Sequence, residues 1–520
     1  MGDSLVADDV ASPTERSGET SIPKPLLYAV LVLAVAALGT AGYRALVQPW
    51  HPYGDGDMSY LDRVDKRSLS GGDLTHYHFG KFAYEQRAPN LAWGWDFMFE
   101  AGDGVFERRV SPAVLSRARY DADGLGPIYN HTACLACHIA DGRAQPVASE
   151  EGIAQEGLLM RLSVPGNHPD GAPTPHPVYG GQLGDRGIPV QYAKGKDGRR
   201  KVVQKEVRAE GVLIIRYEEI AGQYVDGTPY TLTKPVYEIT NLSRGPIGAD
   251  TMFSPRIANM VSGIGLLEAI PEETILAMAD PKDENGDGIS GRPQMVRHPD
   301  TGELALGRFG WKAETASVKH QVAAAAVNDM GMTSSMFIDE PCTKFQPLCN
   351  NARSGNDGSG PEYTDEQITQ MENYVQLLGV PGRRGVREER TQRGEAAFRA
   401  ANCTGCHIET LVTGGHEIER LNGQTIHPYT DMLLHDMGKG LADERPSWQA
   451  SGHEWRTPPL WGIGLVPVVN GHTRFLHDGR ARNLEEAVLW HGGEAKKSRD
   501  AFLLMDKQTR ADLIYFLESL

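Results

Sequence analysis

The sequence lacks an excess of basic residues and contains little cysteine. Among its 520 residues, 52 are Lys or Arg and 68 are Asp or Glu, which gives a formal net charge of −16. Because nucleic-acid binding depends on basic surfaces that neutralise phosphates, this balance argues against a nucleic-acid partner. It favours an acidic, soluble surface that could meet a basic partner protein. Hydrophobic residues make up 40%, as in ordinary globular chains, and the length suggests roughly two to four domains.

Only six cysteines are present, and four of them lie in two copies of the pentapeptide Cys-x-x-Cys-His. In this signature each thiol forms a thioether with haem, and the histidine becomes the proximal iron ligand. A thioredoxin-type pair would sit near a βαβ pattern, which neither copy does, and a zinc site would need both pairs to converge. The sequence therefore predicts a di-haem cytochrome c with two covalently bound haems. The residues concerned are Cys134, Cys137 and His138 in the first copy and Cys403, Cys406 and His407 in the second.

One long apolar run, residues 26–43, carries no charged side chain. Its length just reaches across a bilayer core. The alternative is a cleaved signal peptide, but residues 1–25 are polar and mostly acidic, unlike a short basic leader. We therefore expect an uncleaved transmembrane helix, with residues 1–25 in the cytoplasm. Since c-type haem is attached outside the bacterial cytoplasmic membrane, this predicts a single-pass inner-membrane protein with the bulk of the chain in the periplasm.

The two remaining cysteines, Cys342 and Cys349, lie seven residues apart in a turn-rich stretch. In an oxidising compartment, such a pair is expected to form a disulfide that closes a small loop. Two unpaired thiols or a catalytic thiol pair are the alternatives.

We expect a mainly α protein with two cytochrome c-like haem domains behind the transmembrane helix. Residues 44–72, rich in Pro, Gly and Asp, form a tether, and residues 73–385 form the first haem domain. Within that domain, β-rich sequence at about 202–240 predicts a small β insertion.

Residues 386–520 are expected to form a C-terminal cytochrome c domain. A helix at 391–401, with Gly394 and Phe398 on one side, runs into the second haem motif. An amphipathic helix at 509–520 closes the chain. A helix before the motif and another packed across it are typical of a single-haem cytochrome c.

The segment 280–291 partly matches a calcium-binding loop. Asp283, Asn285 and Asp287 alternate as at positions one, three and five, and Gly288 stands where the loop needs its sharp turn. The twelfth position lacks the usual glutamate, so the bidentate ligand is missing or comes from elsewhere. A plain acidic turn is the alternative. The candidate calcium ligands are Asp280, Asp283, Asn285, Asp287 and the carbonyl of Ile289.

Several longer motifs resemble the bacterial di-haem oxidoreductase family of putative peroxidases, related to the di-haem cytochrome c peroxidases and to MauG. The resemblance covers nearly everything after the tether. It implies a peroxidase-like oxidoreductase in which one haem relays electrons to or from the other. The matching segments are Ser254-Pro-Arg-Ile, Gly310-Trp-Lys-Ala, Thr430-Asp-Met-Leu-Leu-His-Asp-Met-Gly, Glu454-Trp-Arg-Thr-Pro-Pro-Leu-Trp-Gly and Phe475-Leu-His-Asp-Gly-Arg-Ala-Arg-Asn-Leu-Glu-Glu-Ala-Val.

One position departs from this family's pattern. Trp311 lies ten residues before Gln321, the spacing that the peroxidases have between Trp-Asp-Gly-Arg and Leu-Glu-Glu-Gln. In this alignment Lys319 takes the place of the glutamate that acts as acid and base in peroxide cleavage. A lysine cation cannot accept the peroxide proton unless burial depresses its pKa. No catalytic residue is therefore assigned.

The resemblance also implies a distal ligand for the second iron. In the relatives a Met or Tyr, eight positions along the Leu-Glu-Glu-Ala-Val helix, ligates this iron. Counting from Leu484 gives His491, and a neutral imidazole is a suitable sixth ligand. His435, Met437 and His477 compete for this role. For the first iron, Met330, Met332 and His320 remain open as distal ligands.

Three functions are consistent with these features. The first is an oxidoreductase that turns over a substrate at an open first haem. The second is a pure electron carrier with two six-coordinate irons. The third is a partner module of a periplasmic iron-handling system. The expected partner is a redox protein, either a cytochrome or a quinol-linked protein.

Overall fold

The computed structural model describes residues 64–91, 94–112, 122–146, 149, 152–154, 157–166, 171–194, 199–355 and 360–520. All of them belong to one unit, Asp55–Leu520. The predicted cytoplasmic segment 1–25, the predicted anchor 26–43 and most of the predicted tether 44–72 lie outside the described residues.

The α-helices are named α1 to α11 in chain order. Their bounds are Trp95–Phe106, Ile264–Glu268, Glu272–Met278, Val318–Met330, Pro347–Asn350, Asp365–Leu377, Glu389–Ala400, Val466–Asn470, Leu484–Trp490, Lys496–Leu504 and Lys507–Ser519.

The strands are named β1 to β18 in the same way. Their bounds are Thr75–His76, Val110–Pro112, Ala122–Leu125, Ile128–Tyr129, Leu158–Ser163, Arg186–Gly187, Gln191–Lys194, Arg200–Gln204, Val212–Gln223, Pro229–Thr240, Met252–Ile257, Met295–Arg297, Leu304–Leu306, Val380–Pro381, Leu411–Val412, Thr425–Ile426, Leu434–Asp436 and Glu454–Arg456.

The prediction of a mainly α fold is wrong. Of the residues that the structure describes, 29% are helical and 20% are in strands, and these strands pair into nine two-stranded sheets. Many of these strands contain only two or three residues. Such strands show no alternation of polar and apolar residues long enough to be recognised in a sequence. The range 202–240, predicted to be β, contains the long antiparallel pair β9–β10.

The prediction of a single-pass membrane protein is also corrected. Within the part of the chain that the structure describes, no helix combines the length and the apolar character needed to cross a membrane. The segment on which that prediction depended, 26–43, lies outside this part.

Local side-chain caps fix where the principal helices begin. The Thr364 hydroxyl and Gln367 form a reciprocal capping box at the start of α6, and the Asp506 carboxylate accepts two backbone N–H groups at the start of α11. Asn483 caps α9 in the same way. Such caps satisfy N–H groups that have no partner within the helix.

Two helix pairs pack through glycines. In the pair α7–α11, a β-carbon on Gly394 would lie 1.9 Å from the Asp512 carbonyl oxygen. In the pair α1–α6, a β-carbon on Gly102 would lie 2.0 Å from the Gln370 carbonyl oxygen. Only glycine permits such an approach, so each haem motif follows a helix that crosses a later helix at close range.

The two large hydrophobic cores each combine side chains from before and after residue 385. One core contains Leu74 and Leu266 together with Trp461. The other contains Trp311 together with Phe398 and Phe516. The parallel pair β1–β14 also joins residues 75–76 to residues 380–381. The two haem motifs are therefore held in one continuous packing arrangement.

Cys342 and Cys349 form a disulfide, with their Cα atoms 5.8 Å apart. Cys349 is buried in a small core with Ile128, Ile188 and Val207. The bond closes the 342–349 loop, and the burial of Cys349 packs this loop against the first half of the chain.

We expect replacement of both cysteines by alanine to lower the free energy of unfolding by about 2–3 kcal/mol, because the short closed loop restrains the unfolded chain. Denaturant unfolding monitored by tryptophan fluorescence measures this change. Thiol labelling of native, unreduced protein should modify neither cysteine. Labelling of both would contradict the pairing.

Candidate functional site

The first haem motif forms a 3₁₀ turn at Cys134–Ala136. His138 follows it, and the Nδ1 atom of His138 lies 2.7 Å from the Asn259 carbonyl oxygen. Because a carbonyl can only accept, Nδ1 carries the proton and Nε2 is left with its lone pair. Burial lowers the pKa of His138 to about 4. Phe106, at the end of α1, lies beside this imidazole with ring centroids 6.0 Å apart, and Tyr374 packs on Phe106.

The second motif repeats this arrangement. Its 3₁₀ turn spans Cys403–Gly405, and the Nδ1 atom of His407 lies 2.9 Å from the Tyr429 carbonyl oxygen. Burial lowers the pKa of His407 to about 4. Phe398, at the end of α7, lies 6.1 Å from the imidazole by ring centroids, and Phe516 packs on Phe398. Both histidines are thus neutral, oriented and able to ligate a metal through Nε2.

The four motif cysteines form no disulfide. Burial raises the pKa of Cys134, Cys137 and Cys403 to about 12. These thiols are therefore protonated at neutral pH and are not activated redox thiols. Together with the oriented histidines and the flanking aromatic rings, they fit a haem bound by two thioethers and one imidazole.

His491, at the C-terminus of α9, has the same tautomer as the two motif histidines. Its Nδ1 atom lies 2.8 Å from the Ala487 carbonyl oxygen. Burial lowers its pKa, and His491 is close enough to His407 to lower the pKa of that residue as well. His491 therefore combines a neutral imidazole, a free Nε2 and proximity to the second motif.

The competing residues are His435, His477 and Met437, and the structure engages both ligating atoms of the first of them. His435 has both ring nitrogens engaged, since Nε2 lies 2.8 Å from Asp431 and Nδ1 lies 2.7 Å from Glu494. His477 stacks on Trp455, with ring centroids 3.8 Å apart, and its Nε2 atom is buried without a hydrogen-bond partner. Met437 packs against the second large core. Of the four, His491 is the one that combines a hydrogen bond fixing its tautomer with a direct effect on the pKa of His407.

The two carboxylates beside His435 hold it as an imidazolium, with a pKa well above its usual value. Its Nδ1 atom also lies 3.6 Å from Cys406 Sγ. Within the described residues, Cys406, Asp431 and His435 are the one set of three potential metal ligands that converge. Because Cys406 belongs to the haem motif and His435 is protonated, this set is better explained as polar surroundings of the second haem.

The acidic segment 280–291 forms a loop that is closed by its own hydrogen bonds. Asp280 accepts the N–H of Glu284 at 2.8 Å, and Asp283 accepts the N–H of Gly288 at 3.0 Å. Ser290 donates to Glu494, the partner of His435. Within the described residues, the loop's carboxylates do not converge as a metal-ligand cluster.

The candidates for the distal side of the first iron lie in and after α4. Met330 and Met332 are buried in a core that contacts Cys134. His320 is also buried, and it faces His298 and Phe337. The structure does not single out one of the three.

Lys319 is half-buried on α4. It lowers the pKa of Glu372 on the neighbouring helix α6, but burial has the larger effect and raises that pKa to about 7. Sequence reasoning did not identify Glu372, because it lies 53 positions further along the chain, outside any motif. A carboxyl group with this pKa exchanges protons readily near neutral pH.

Comparison with known proteins gives one strong match. A family model described as di-haem oxidoreductase, putative peroxidase, matches residues 64–520. No curated protein matches the chain. Among solved structures, hydrazine synthase from Kuenenia stuttgartiensis, pressurised with xenon, matches at 19% identity and a TM-score of 0.21. That match covers 31% of this chain and 57% of the other. A TM-score of 0.21 does not indicate a shared fold.

Proposed function

Because the chain belongs to the di-haem oxidoreductase, putative peroxidase family, we propose that it is a c-type di-haem oxidoreductase that passes electrons between its two haems. The observation that carries this proposal is the pair of matching sites. Each has a Cys-x-x-Cys-His motif whose histidine, His138 or His407, donates Nδ1–H to a backbone carbonyl. That hydrogen bond leaves Nε2 for iron and makes the imidazole a stronger donor.

Covalent attachment assigns a separate role to each part of the motif. Cys134 and Cys137 would hold the first haem through thioethers, and Cys403 and Cys406 would hold the second. Bound haem iron supplies one-electron redox chemistry. The chain supplies the proximal imidazoles and aromatic walls that exclude water.

His491 is proposed as the distal ligand of the second iron. Two histidine ligands hold iron at a lower potential than a histidine and a methionine do. The second haem would then be six-coordinate and suited to electron relay rather than to substrate binding. Any substrate turnover would take place at the first haem.

The electron paramagnetic resonance spectrum of the oxidised protein tests this division of roles. We expect one low-spin signal from the second haem. His491→Ala should convert that signal to high-spin and raise the potential of that haem, while the first haem keeps its own spectrum. His453→Ala, which changes a surface histidine paired with Glu444, is the matched control. An unchanged low-spin signal in His491→Ala would exclude His491 and leave Met437 and His477 as the candidates.

A pure electron carrier is the second candidate function, and Lys319 is the observation that favours it. With no carboxylate at the family's acid and base position, peroxide cleavage lacks its usual proton acceptor. Two low-spin haems in the oxidised protein would support the carrier, whereas a high-spin first haem would support the oxidoreductase. In either function, the partner is proposed to be a cytochrome or a quinol-linked protein.

Calcium binding by residues 280–291 stays a prediction from the sequence. The Asp283 contact with the Gly288 N–H is compatible with such a loop. Calorimetric titration of the purified protein with calcium would detect binding, and Asp283→Asn should then weaken it.

A further inference from the structure

Five buried cationic side chains lie in the region of Trp311 and Trp455. Three of them contact one of the two rings. Of the other two, Arg456 donates its backbone N–H to the Trp311 carbonyl, and the Arg445 carbonyl accepts from Lys312. The Arg143 guanidinium lies 5.6 Å from the Trp311 ring, and the Lys312 ammonium lies 4.5 Å from the Trp455 ring. All five are at most 6% exposed. They are Arg143, Arg256, Lys312, Arg445 and Arg456.

Only two of these cations have a carboxylate of their own. Arg256 pairs with Glu314, and Lys312 pairs with Asp443 at 2.8 Å. A buried charge without a counter-charge is costly, because it loses its hydration and gains no ion pair in return. The remaining three arginines have no ion pair. The carboxylates that act on two of them, Glu314 and Asp443 on Arg445 and Asp431 on Arg456, are already paired with Arg256, Lys312 and His435.

Arg143 and Arg456 bond to neutral acceptors that lie close to the two haem motifs. Arg143 donates to the Asn259 side chain at 2.7 Å, and the Asn259 carbonyl orients His138. Arg456 donates to the Thr457 carbonyl at 3.1 Å, which also accepts from Thr430. Thr430 is next to Tyr429, whose carbonyl orients His407. Arg143 is therefore hydrogen-bonded to the residue whose carbonyl orients His138. Arg456 is linked through the Thr457 carbonyl to Thr430, the neighbour of the residue whose carbonyl orients His407.

Arg445 is the least satisfied of the three arginines. Its Nε and Nη1 atoms are buried without a hydrogen-bond partner, and Nη2 makes one long contact of 3.5 Å with the Leu162 carbonyl oxygen. Arg143 likewise has a buried Nε without a partner. Burial lowers the pKa of both to about 10, which leaves them charged at neutral pH. Planar guanidinium groups with open N–H donors are suited to bind carboxylates in a bidentate manner.

We propose that Arg143, Arg445 and Arg456 bind the propionate carboxylates of the two haems. This inference rests on the proposed function, since it requires bound haem. Each haem brings two propionates, so the pair supplies enough negative charge to balance the three arginines. The arginines would then anchor the haems through ionic contacts, and they would raise the potential of the haem they contact by stabilising its electron-rich reduced form.

The direct test is a crystal structure of the holoprotein. At least one of the three guanidinium groups should lie within hydrogen-bond distance of a propionate oxygen. Guanidinium groups that contact only water, backbone or a free anion would overturn the proposal. Because mass spectrometry reports haem attachment separately, failure of this test is distinguishable from failure of the proposed function.

Redox titration of holoprotein variants gives an independent test. Arg445→Gln and Arg143→Gln should each lower the midpoint potential of one haem while leaving two haems attached. Arg445→Lys should keep the potential closer to the wild-type value. Arg216→Gln is the matched control, because Arg216 is exposed and pairs with Glu238 on the β9–β10 hairpin. Potentials unchanged relative to this control, in both glutamine variants, would overturn the proposal.

Addition of acetate or phosphate distinguishes haem propionate from a free anion. If propionates fill the site, neither anion should change the potentials or the thermal melting temperature beyond the effect of matched ionic strength. A saturable response that disappears in Arg445→Gln would show a site for a free oxyanion instead. If Arg445→Gln does not fold, the potential of Arg143→Gln and the guanidinium–propionate distances in the holoprotein structure test the proposal instead.

Discussion

Protein made in cells with the haem-attachment machinery should carry two covalent haems per chain. Intact-mass spectrometry should show two haem additions, and Cys403→Ala combined with Cys406→Ala should remove one of them. The expected loss is complete for that site, because thioether bonds cannot form without the thiols. The remaining haem should keep the spectrum of the first site, since His138 is oriented by Asn259 and not by the second motif.

The matched control for this experiment uses the other cysteine pair. Cys342→Ala combined with Cys349→Ala also removes two sulfur atoms, but it should leave both haem additions in place, because those cysteines are joined to each other. Unmodified wild-type protein from competent cells would contradict the di-haem assignment.

Hydrogen peroxide turnover should be weak or absent in the wild-type protein, and Lys319→Glu should raise it. A positioned acid and base group contributes about 10²–10⁴-fold to a reaction rate, which sets the expected upper range of the gain. The gain also requires a vacant site on the first iron. Steady-state oxidation of a reduced cytochrome donor by peroxide measures this gain. The gain reports both the new carboxylate at position 319 and the vacant site on the first iron.

Lys319→Gln is the control that separates the two effects of this substitution. It removes the cation without adding a carboxylate, so it should not reproduce the gain of Lys319→Glu. Glu372 offers an alternative proton acceptor for peroxide cleavage in the wild-type protein, since its pKa of about 7 suits proton exchange. Robust wild-type turnover that is lost in Glu372→Gln would assign the proton transfer to α6, and the carrier function would lose most of its support.

The parts of the fold that the sequence predicted best are those set by local patterns. Helices were predicted at 391–401 and 509–520, and the structure has α7 and α11 at Glu389–Ala400 and Lys507–Ser519. The apolar spacing of both helices and the Asp506 cap of α11 are encoded within a few residues. The short paired strands could not be predicted in this way. Thr75–His76, for example, is a strand because it pairs with residues 380–381.

The same distinction between local patterns and tertiary packing applies to the candidate site. A motif contains its own cysteines and histidine, so the sequence alone predicts residues 134–138 and 403–407 as haem sites. The carbonyls of Asn259 and Tyr429, which orient the histidines, have no sequence signature, because any residue supplies a carbonyl. Tertiary packing also brings Glu494 to His435 and Glu372 to Lys319. These contacts depend on the fold and not on residue type.

The histidine–carbonyl contacts have a consequence for the order of events during biosynthesis. The acceptor for His407 follows it by 22 residues, whereas the acceptor for His138 follows it by 121 residues. At a synthesis rate of roughly 5–20 residues per second, the first interval lasts about 1–4 seconds and the second about 6–24 seconds. The N-terminal haem site therefore appears first in the growing chain but waits much longer for the group that aligns its ligand.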